Sequence, residues 1–453
     1  MLAVTFLFGL YAIYYGRSEI ETQRDIIKAI QELEHKEFSS YKSSFKEEME
    51  SLEQERTHDM ASRPASAWFR HGYHAILPPH DYAALSIGQR DLFRYYYRLT
   101  GMSLHYQLFE NELANPVNLM AGNFDLSFVL VYLFPLLIIA FCYGLFSSDK
   151  ENGTLALLQI QSISIRKIIL VKLIFYFVLI TGLALLISLI GLLTAGNPLK
   201  AENKLPTLTW LTGVVVYCAF WFFFLFLIVS FRKSSSFNAI TAAGCWLILL
   251  IVIPAILNVL VSTKYPLNSA TLASLTRRTG LENEDDEEES REVIAEFFAH
   301  KPELAASDSL IQNSLMTKTY AAFSALKDIK SQKQVDHYNA QVKNRDSWTS
   351  NFHWLSPAVN MQETFAHITQ TDLNTFLQFQ DALANFHGDI TGFYFNRLFW
   401  DKLIVLEDYQ QLPVFHMSIS ENRWPTVWGS LGKIGLTAIL VFLFGFVNMK
   451  KVN

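Results

Sequence analysis

The stretch Leu173–Thr194, LIFYFVLITGLALLISLIGLLT, runs for 22 residues without a charged side chain. A helix of about 20 apolar residues is long enough to cross the hydrocarbon core of a bilayer. Lipid offers the backbone no hydrogen-bond partner, so such a segment has to be helical. This stretch therefore predicts a transmembrane helix.

Five further stretches share this character, each with about 16–25 residues and almost no ionisable group. They are Met1–Gly16, Leu126–Phe146, Leu208–Phe231, Phe237–Ser262 and Trp428–Asn448. The first is short and lacks the basic leader and cleavage site of a signal peptide, so we expect an uncleaved anchor. Pro135 and Pro254 lie inside spans and predict kinks, where buried neighbours can bond to the carbonyls that proline frees.

The charged residues lie mostly between these spans. They make up only 17% of the 453 residues, and the net charge is −5. This balance excludes a typical nucleic-acid binder, which needs a basic face. The segregation of charge argues against an ordinary cytosolic enzyme and favours a polytopic membrane protein.

Charge also predicts the topology, because Lys and Arg in short loops stay on the cytoplasmic side. The connection Ser147–Lys172 and the tail after Asn448 are net basic. The two long inserts are acidic, with 12 basic and 16 acidic residues in Arg17–Phe124, and 14 and 22 in Thr263–Val427. We therefore expect both termini in the cytoplasm and both inserts outside.

The predicted fold class is all-α, a polytopic six-helix membrane bundle with a helical extracytoplasmic domain built from two inserts. The ranges are 1–16 for the first span, 17–125 for the first insert, 126–262 for four spans, 263–427 for the second insert, and 428–453 for the sixth span with its basic tail. The inserts contain no cysteine, so this outer domain has to be held by packing alone.

Three segments of the inserts have apolar residues at spacings of three and four, which is typical of amphipathic helices. They are Ser18–Arg56, Asp308–Arg345 and Met361–Asp401. Because a narrow apolar stripe is not stable in water, we expect these rods to pack on one another. The acidic run Glu282–Glu289 between them predicts a solvated loop.

All twelve histidines lie in the inserts, among them His71, His74 and His80 of the motif HGYHAILPPH. A His-x-x-His pair can place two imidazoles on one metal ion. No acidic or thiol cluster accompanies the motif, however, so we predict no metal site.

The connection between the second and third spans carries the most informative motif. It reads Asp149-Lys-Glu-Asn-Gly-Thr-Leu, then Ser164-Ile-Arg-Lys, with Lys172 at the membrane. Gly153 permits a sharp turn, and Thr154 can cap a short helix with Leu155 on its apolar side. One interpretation is a helix anchored in the membrane surface; the other is a docking element for a cytoplasmic partner.

This motif resembles the acidic-x-x-Gly-Thr-Leu, Ser-x-Arg and Lys signature of the type-2 ABC export permeases. Leu77–Leu92, Glu112–Leu126 and Trp354–Ala358 are similar to a bacterial branch with large extracytoplasmic inserts, related to gliding-motility and copper-enzyme-maturation permeases. The resemblance implies a coupling helix over 149–167 that docks on an ATPase. The residues that it implies for this contact are Asp149, Lys150, Glu151, Gly153, Thr154, Leu155, Ser164, Arg166 and Lys167.

The resemblance also implies partners and a location. The partners are a cytoplasmic ABC ATPase dimer that binds ATP and Mg, a second permease (identical or different), and the lipid bilayer of the bacterial inner membrane. The chain contains no phosphate-binding Gly-x-x-x-x-Gly-Lys-Ser/Thr motif, no His-Glu-x-x-His and no Gly-x-Ser-x-Gly. We therefore expect no catalytic residue and no cofactor in this chain.

Three functions remain open at this stage. The first is a permease subunit of an exporter whose cargo the sequence does not name. The second is a mechanotransmitter that moves the outer rods to act on a periplasmic protein, and the third is a scaffold or sensor without an ATPase. The aromatic run from Tyr217 to Phe224 covers all sides of a helix, so we expect most of it to contact lipid.

Overall fold

The computed structural model describes residues 1–46, 50–109, 123–155, 158, 164–267, 287–419 and 422–450, and most of them are helical. The α-helices are α1 (Leu2–Ser43), α2 (Leu52–Ser62), α3 (Pro64–Arg70), α4 (Leu104–Phe109), α5 (Leu126–Glu151), α6 (Ile165–Ala195), α7 (Ala201–Ser230), α8 (Ser235–Lys264), α9 (Glu287–His300), α10 (Leu315–Ser350), α11 (Pro357–Thr369), α12 (Leu373–Leu398) and α13 (Trp424–Lys450). Two strands, β1 (Tyr73–Ile76) and β2 (Tyr96–Leu99), form an antiparallel hairpin in the first insert.

Five of the described helices, α5 to α8 and α13, are long and apolar enough to cross a membrane. This agrees with five of the predicted spans, and it is compatible with a membrane protein. The predicted sixth span, Met1–Gly16, is not confirmed. It is the first part of α1, which continues without a break into the polar sequence that follows.

Polar side chains at their first turns start three of the apolar helices. Asp125 accepts a 2.8 Å hydrogen bond from the backbone N–H of Phe128 at the start of α5. Ser164 caps α6 and Ser234 caps α8 in the same manner. Such caps satisfy backbone donors that have no partner inside the helix. The helix starts are therefore fixed by residues just outside the apolar runs.

Helix α7 lies at the centre of the bundle and packs against α6 and α13. Four of the six aromatic residues from Tyr217 to Phe224 are buried, namely Tyr217, Phe220, Trp221 and Phe222. The expectation that the aromatic run contacts lipid is therefore wrong for most of it, because the chain itself covers these rings. A helix that is apolar on every side is typically a central one.

Pro135 and Pro254, the two prolines for which kinks were predicted, each follow a π-helical segment. Val129–Leu133 is π-helical before Pro135, and Ile248–Val252 is π-helical before Pro254. Tyr217 donates a 2.9 Å hydrogen bond to the carbonyl of Val131, and Ser356 donates a 2.8 Å bond to the carbonyl of Leu249. Proline has no N–H to donate to the carbonyls four or five residues before it. Here side-chain hydroxyls donate to two of these carbonyls instead, as expected.

A second core lies in the inserts, in what we call the insert domain (described residues within 38–77, 93–109, 287–352 and 373–419). Fully buried Phe297, Phe379 and Tyr394 are among its largest side chains. The hairpin departs from the all-α prediction. Its strands alternate buried Tyr73 and Ala75 with less buried neighbours, a period of two that fits a sheet with one covered face.

The predicted rods differ in length and in partner from expectation. Helix α1 ends at Ser43, well before Arg56, and α2 follows as a separate helix. Helix α10 packs against α9, while α1 contacts α2 and β1. Of the predicted acidic loop, Glu287–Glu289 forms the first turn of α9, where carboxylates interact favourably with the helix dipole. The rest of that run lies outside the described residues.

Helix α11 belongs to the second insert in sequence but to the bundle in space. Its Met361 and Phe365 are fully buried in the bundle core. The ring of Phe365 stacks on that of Trp210 of α7, with 4.0 Å between the ring centroids. The insert domain is therefore connected to the bundle through a packed helix as well as through α1.

Candidate functional site

The predicted coupling segment begins with a reversal of the chain at the end of α5. Gly153 has a φ of +74°, a conformation that favours glycine. The hydroxyl of Thr154 donates a 3.1 Å hydrogen bond to the carbonyl of Asp149, which closes the turn. Thr154 thus stabilises the turn, in addition to starting a helical turn through the bond from Leu158 N–H to its carbonyl.

An ion pair ties this turn to the next apolar helix. The carboxylate of Asp149 lies 2.5 Å from the ammonium nitrogen of Lys172, on the second turn of α6. Both side chains are partly buried, with 22% and 38% of their surfaces exposed. The pair therefore holds the end of α5 against the start of α6.

Glu151 joins α5 to α8. Its carboxylate accepts a 2.7 Å hydrogen bond from the backbone N–H of Ser235, the first residue of α8. The hydroxyl of Ser235 in turn donates to that of Ser147 at 2.8 Å, and Asn238 donates to the carbonyl of Tyr143 at 3.1 Å. Glu151 is consequently engaged within the chain.

The far end of the segment contacts α13. Ser164 accepts a hydrogen bond from Lys167 N–H at 3.4 Å and so begins α6. One turn in, the guanidinium of Arg166 lies over the ring of Phe446 at 5.3 Å from its centroid, a cation–π contact. Four apolar helices, α5, α6, α8 and α13, therefore meet at this segment.

The structure brings the predicted site residues together at one end of the bundle. Asp149 and Arg166 are partly buried in contacts within the chain, while Glu151, Thr154 and Ser164 make such contacts and are also exposed. Lys150, Gly153 and Lys167 are exposed, and Leu155 is half-buried. Residues 156–157 and 159–163, which carry most of the predicted coupling helix, lie outside the described residues. The sequence did not identify Ser147, Ser235 and Phe446, because each lies far along the chain from its partner.

The exposed charge of this end is positive. Lys150, Lys167 and Lys233 are exposed and outnumber the exposed carboxylate of Glu151, while the carboxylate of Asp149 is partly buried against Lys172. Such a surface suits an acidic protein face or anionic lipid headgroups. Both interpretations of the motif are therefore consistent with its geometry.

The three histidines of HGYHAILPPH point to different partners. His71 bonds to Tyr394 at 2.7 Å, His74 lies 3.3 Å from Glu34, and His80 accepts from Tyr82 N–H at 3.1 Å. Burial lowers the pKa of His71 and that of His80 to about 4. Among the described residues no cluster of three or more His, Cys, Asp or Glu has a metal-binding arrangement.

A polar network lies where α11 meets the insert domain. His367 lies 3.0 Å from Asp372 and 3.8 Å from Glu363, which is itself 2.8 Å from His353. Burial acts to lower the pKa of His367, but the hydrogen bond and the charge of Asp372 more than offset it and raise that pKa above 6.5. This network couples the end of α11 to the first turn of α12.

The comparison with known families finds one match. Residues 270–418 match the model of a domain of unknown function, DUF3526. The match covers about a third of the chain, all of it in the second insert, and it does not include the segment 149–167. Neither a curated protein nor a solved structure matches the chain.

Proposed function

We propose that this chain is the membrane-spanning permease subunit of a bacterial type-2 ABC exporter. A separate pair of cytoplasmic ATPases would contact the segment 149–167 and supply the hydrolysis of ATP with Mg. The observation that supports this best is that four apolar helices meet at that segment. A displacement applied there reaches α5, α6, α8 and α13 together, as a two-state tilting of the bundle requires.

The geometry divides the predicted coupling residues into two groups. Asp149, Glu151 and Arg166 hold the segment on the bundle through Lys172, Ser235 and Phe446. The exposed Lys150, Thr154 and Lys167 are then the residues that contact the ATPase. In this proposal the first group transmits the movement and the second receives it.

The rest of the assembly follows from the same proposal. The chain would lie in the inner membrane with both termini in the cytoplasm and the insert domain outside. It would pair with a second permease, either another copy or a related chain, and the cargo would pass between the two.

The sidedness of the segment tests this proposal directly. Cys142 and Cys218 are buried, but Cys245 is only half-buried and can react with a thiol reagent. The test therefore starts from a variant in which all three cysteines are replaced. Thr154→Cys and Gln410→Cys then place one thiol at an exposed site on the segment and one on the insert domain. We expect a membrane-impermeant maleimide to label Gln410→Cys in intact cells and Thr154→Cys only after the membrane is opened. Labelling of both thiols in intact cells would contradict the proposal.

The ATPase partner needs a second test. We expect a cross-linker attached at Thr154→Cys to capture an ATPase subunit, and one attached at Gln410→Cys to capture none. If no ATPase co-purifies in mild detergent and none is captured, the chain would be a scaffold or sensor.

A mechanotransmitter is the second candidate, and helix α1 favours it. Its 42 residues connect buried Ala12 and Ile13 of the bundle to buried Tyr41 of the insert domain in one continuous helix. A stiff helix transmits displacement, whereas a loop does not. The distance between spin labels at Gln410→Cys and Thr154→Cys would report a movement of the insert domain relative to the segment 149–167. In this case ATP binding changes their distance; in an exporter without such a lever the distance stays constant.

A further inference from the structure

Helix α11 lies in the bundle, and short connections join both of its ends to the insert domain. Residues 351–356 lead into it from α10, and residues 370–372 lead out of it to α12. Near the end of α10, Arg345 donates a 2.9 Å hydrogen bond to Ser262, close to the end of α8, whereas Ser356 donates to the Leu249 carbonyl near the middle of that helix. The two connections therefore have to absorb any movement of α10 and α12 relative to α11.

One network of side chains bridges both connections. At the first, the carboxylate of Glu363 on α11 lies 2.8 Å from His353. At the second, His367 on the last turn of α11 lies 3.0 Å from the carboxylate of Asp372, which also accepts two backbone N–H groups at the start of α12. Glu363 and His367 are one turn apart at 3.8 Å and so join the two halves.

The charge of this network depends on its two imidazoles. Its acids are Glu363, Asp372 and, from the end of α10, Asp346, whose charge acts on His367. The five groups carry a net charge of −1 when both histidines are protonated and −3 when both are neutral. Because His353, His367, Glu363 and Asp372 are no more than 26% exposed, water screens the repulsion among the acids only in part.

Other charged or titratable side chains lie on the elements packed against α11 and the corner that follows it. Each has a contact elsewhere or is exposed. They are His80 (Tyr82 N–H), Asp81 (Asn203), Arg90 (Gln23), Asp125 (Ser127 and Phe128 N–H), Glu202 (Lys200), Arg423 (the Trp424 ring) and Lys433 (exposed). All seven are unchanged in the variants below, so their own titration is common to every protein compared.

We propose that this network is a proton-controlled latch between the bundle and the insert domain. With the histidines charged, it holds α10 and α12 against α11; with both neutral, repulsion among the three acids releases the insert domain. Burial lowers the pKa of His367, but the hydrogen bond and charge of Asp372 raise it overall. The latched state thus binds the proton more tightly, and acid favours it. The latch does not depend on a role of the chain as a permease.

Spin labels on the two parts of the molecule measure the latch. The full chain in amphipol, with its three cysteines replaced, carries Leu199→Cys at an 81% exposed site of the bundle and Gln410→Cys on the insert domain. We expect one distance at pH 5.5 and a second, longer distance at pH 8.5. Release of one proton changes the ratio of the two populations by up to about tenfold per pH unit. A single unchanged distance at both pH values would overturn the proposal.

Substitutions of His367 separate a proton-controlled latch from a passive contact. His367→Lys keeps a cation at both pH values and should retain the shorter distance at pH 8.5. His367→Gln should lose most of the response to pH, and His353→Gln should reduce it. His337→Gln, at an exposed position of α10, should respond as the parent protein does.

Circular dichroism and the melting temperature show which variants are folded, and only folded variants are compared. The full response of the parent protein in folded His367→Gln or, if that variant does not fold, in His353→Gln would contradict the latch. A distance in His367→Lys that lengthens at pH 8.5 as in the parent would contradict it as well.

Discussion

The carboxylate of Glu151 lies 2.7 Å from the backbone nitrogen of Ser235, so the last residue of α5 caps the first turn of α8. A carboxylate at this position bonds to a backbone N–H and interacts with the positive end of the helix dipole. The contact connects two helices that are separated by more than 80 residues. A force applied to the turn at Gly153 therefore passes to α8 as well as to α6.

Replacing Glu151 by Lys should uncouple the proposed ATPase from the bundle. A cation at the start of α8 cannot accept the bond from Ser235 N–H and is repelled by the helix dipole. Glu151→Gln keeps an oxygen acceptor and should retain most of the coupling. The ATPase activity of the purified complex measures this, with the melting temperature as the check on folding.

Glu202→Lys is the control, because Glu202 is an exposed acid in the first turn of α7. We expect it to leave the ATPase activity unchanged. Equal activity of Glu151→Lys and Glu151→Gln would show that this bond has no part in coupling.

Tyr217→Phe should destabilise the bundle through a single lost hydrogen bond. The ring of Tyr217 is buried, and its hydroxyl donates to the Val131 carbonyl, four residues before Pro135. Leaving a buried carbonyl without a donor costs about 1–3 kcal/mol. Thermal unfolding in detergent measures the change. Tyr14→Phe, at a site 69% exposed, should have no effect, and an equal effect of both changes would refute the explanation.

Two neighbours on α10 should respond very differently to a charge. Leu326 is 2% exposed in the core of the insert domain, whereas Phe323 is half-buried and lines a surface groove. Leu326→Asp loses at least the roughly 2–5 kcal/mol of a buried Leu→Ala change, and it also buries an unpaired charge. Phe323→Asp should cost much less, because its carboxylate can reach water.

Limited proteolysis of the insert domain measures this difference. We expect rapid cleavage in Leu326→Asp and slow cleavage in Phe323→Asp. Similar rates in the two variants would show that the position of the α10 stripe is not as described.

The sequence predicted the five apolar helices well because hydropathy and charge segregation are local properties. It did not predict that α11 packs in the bundle, since its 13 residues are too few to cross a membrane and its amphipathic pattern is shared by the helices of the insert domain. The hairpin was missed because its strands have only four residues each.

At the candidate site, too, local features were predictable from the sequence and long-range contacts were not. Its turn was predictable from Gly153 and Thr154, which act within a few residues. The bonds of Glu151 to Ser235 and of Arg166 to Phe446 join distant positions, and no single-sequence pattern encodes such pairs. The sequence therefore located the segment, but only the structure showed which of its residues bond to the neighbouring helices.

The network at His367 should make the stability of the chain depend on pH. The pKa of His367 is raised above 6.5, so its contribution is fully present below pH 6.5 and is lost as pH rises through the folded value. Burial raises the pKa of Asp372, but the hydrogen bond and charge of His367 reverse this and lower it below 3.8. The contribution of Asp372 is present above pH 3.8 and is lost at lower pH. The pair should therefore stabilise the chain most between these limits.

Comparing His367→Gln with the parent protein isolates the contribution of His367 to the pH dependence of stability. The buried His71 and His80 are present in both proteins, so their contributions cancel. We expect the variant to lose about 1.5–3 kcal/mol near pH 5.5, the range for a hydrogen bond to a charged group. The loss should shrink as the pH is raised towards 9, because His367 is then neutral in the parent protein too. His337→Gln, at an exposed position of α10, should change stability at neither pH. A loss that is constant from pH 5.5 to pH 9 would mean that His367 acts through packing and not through its charge.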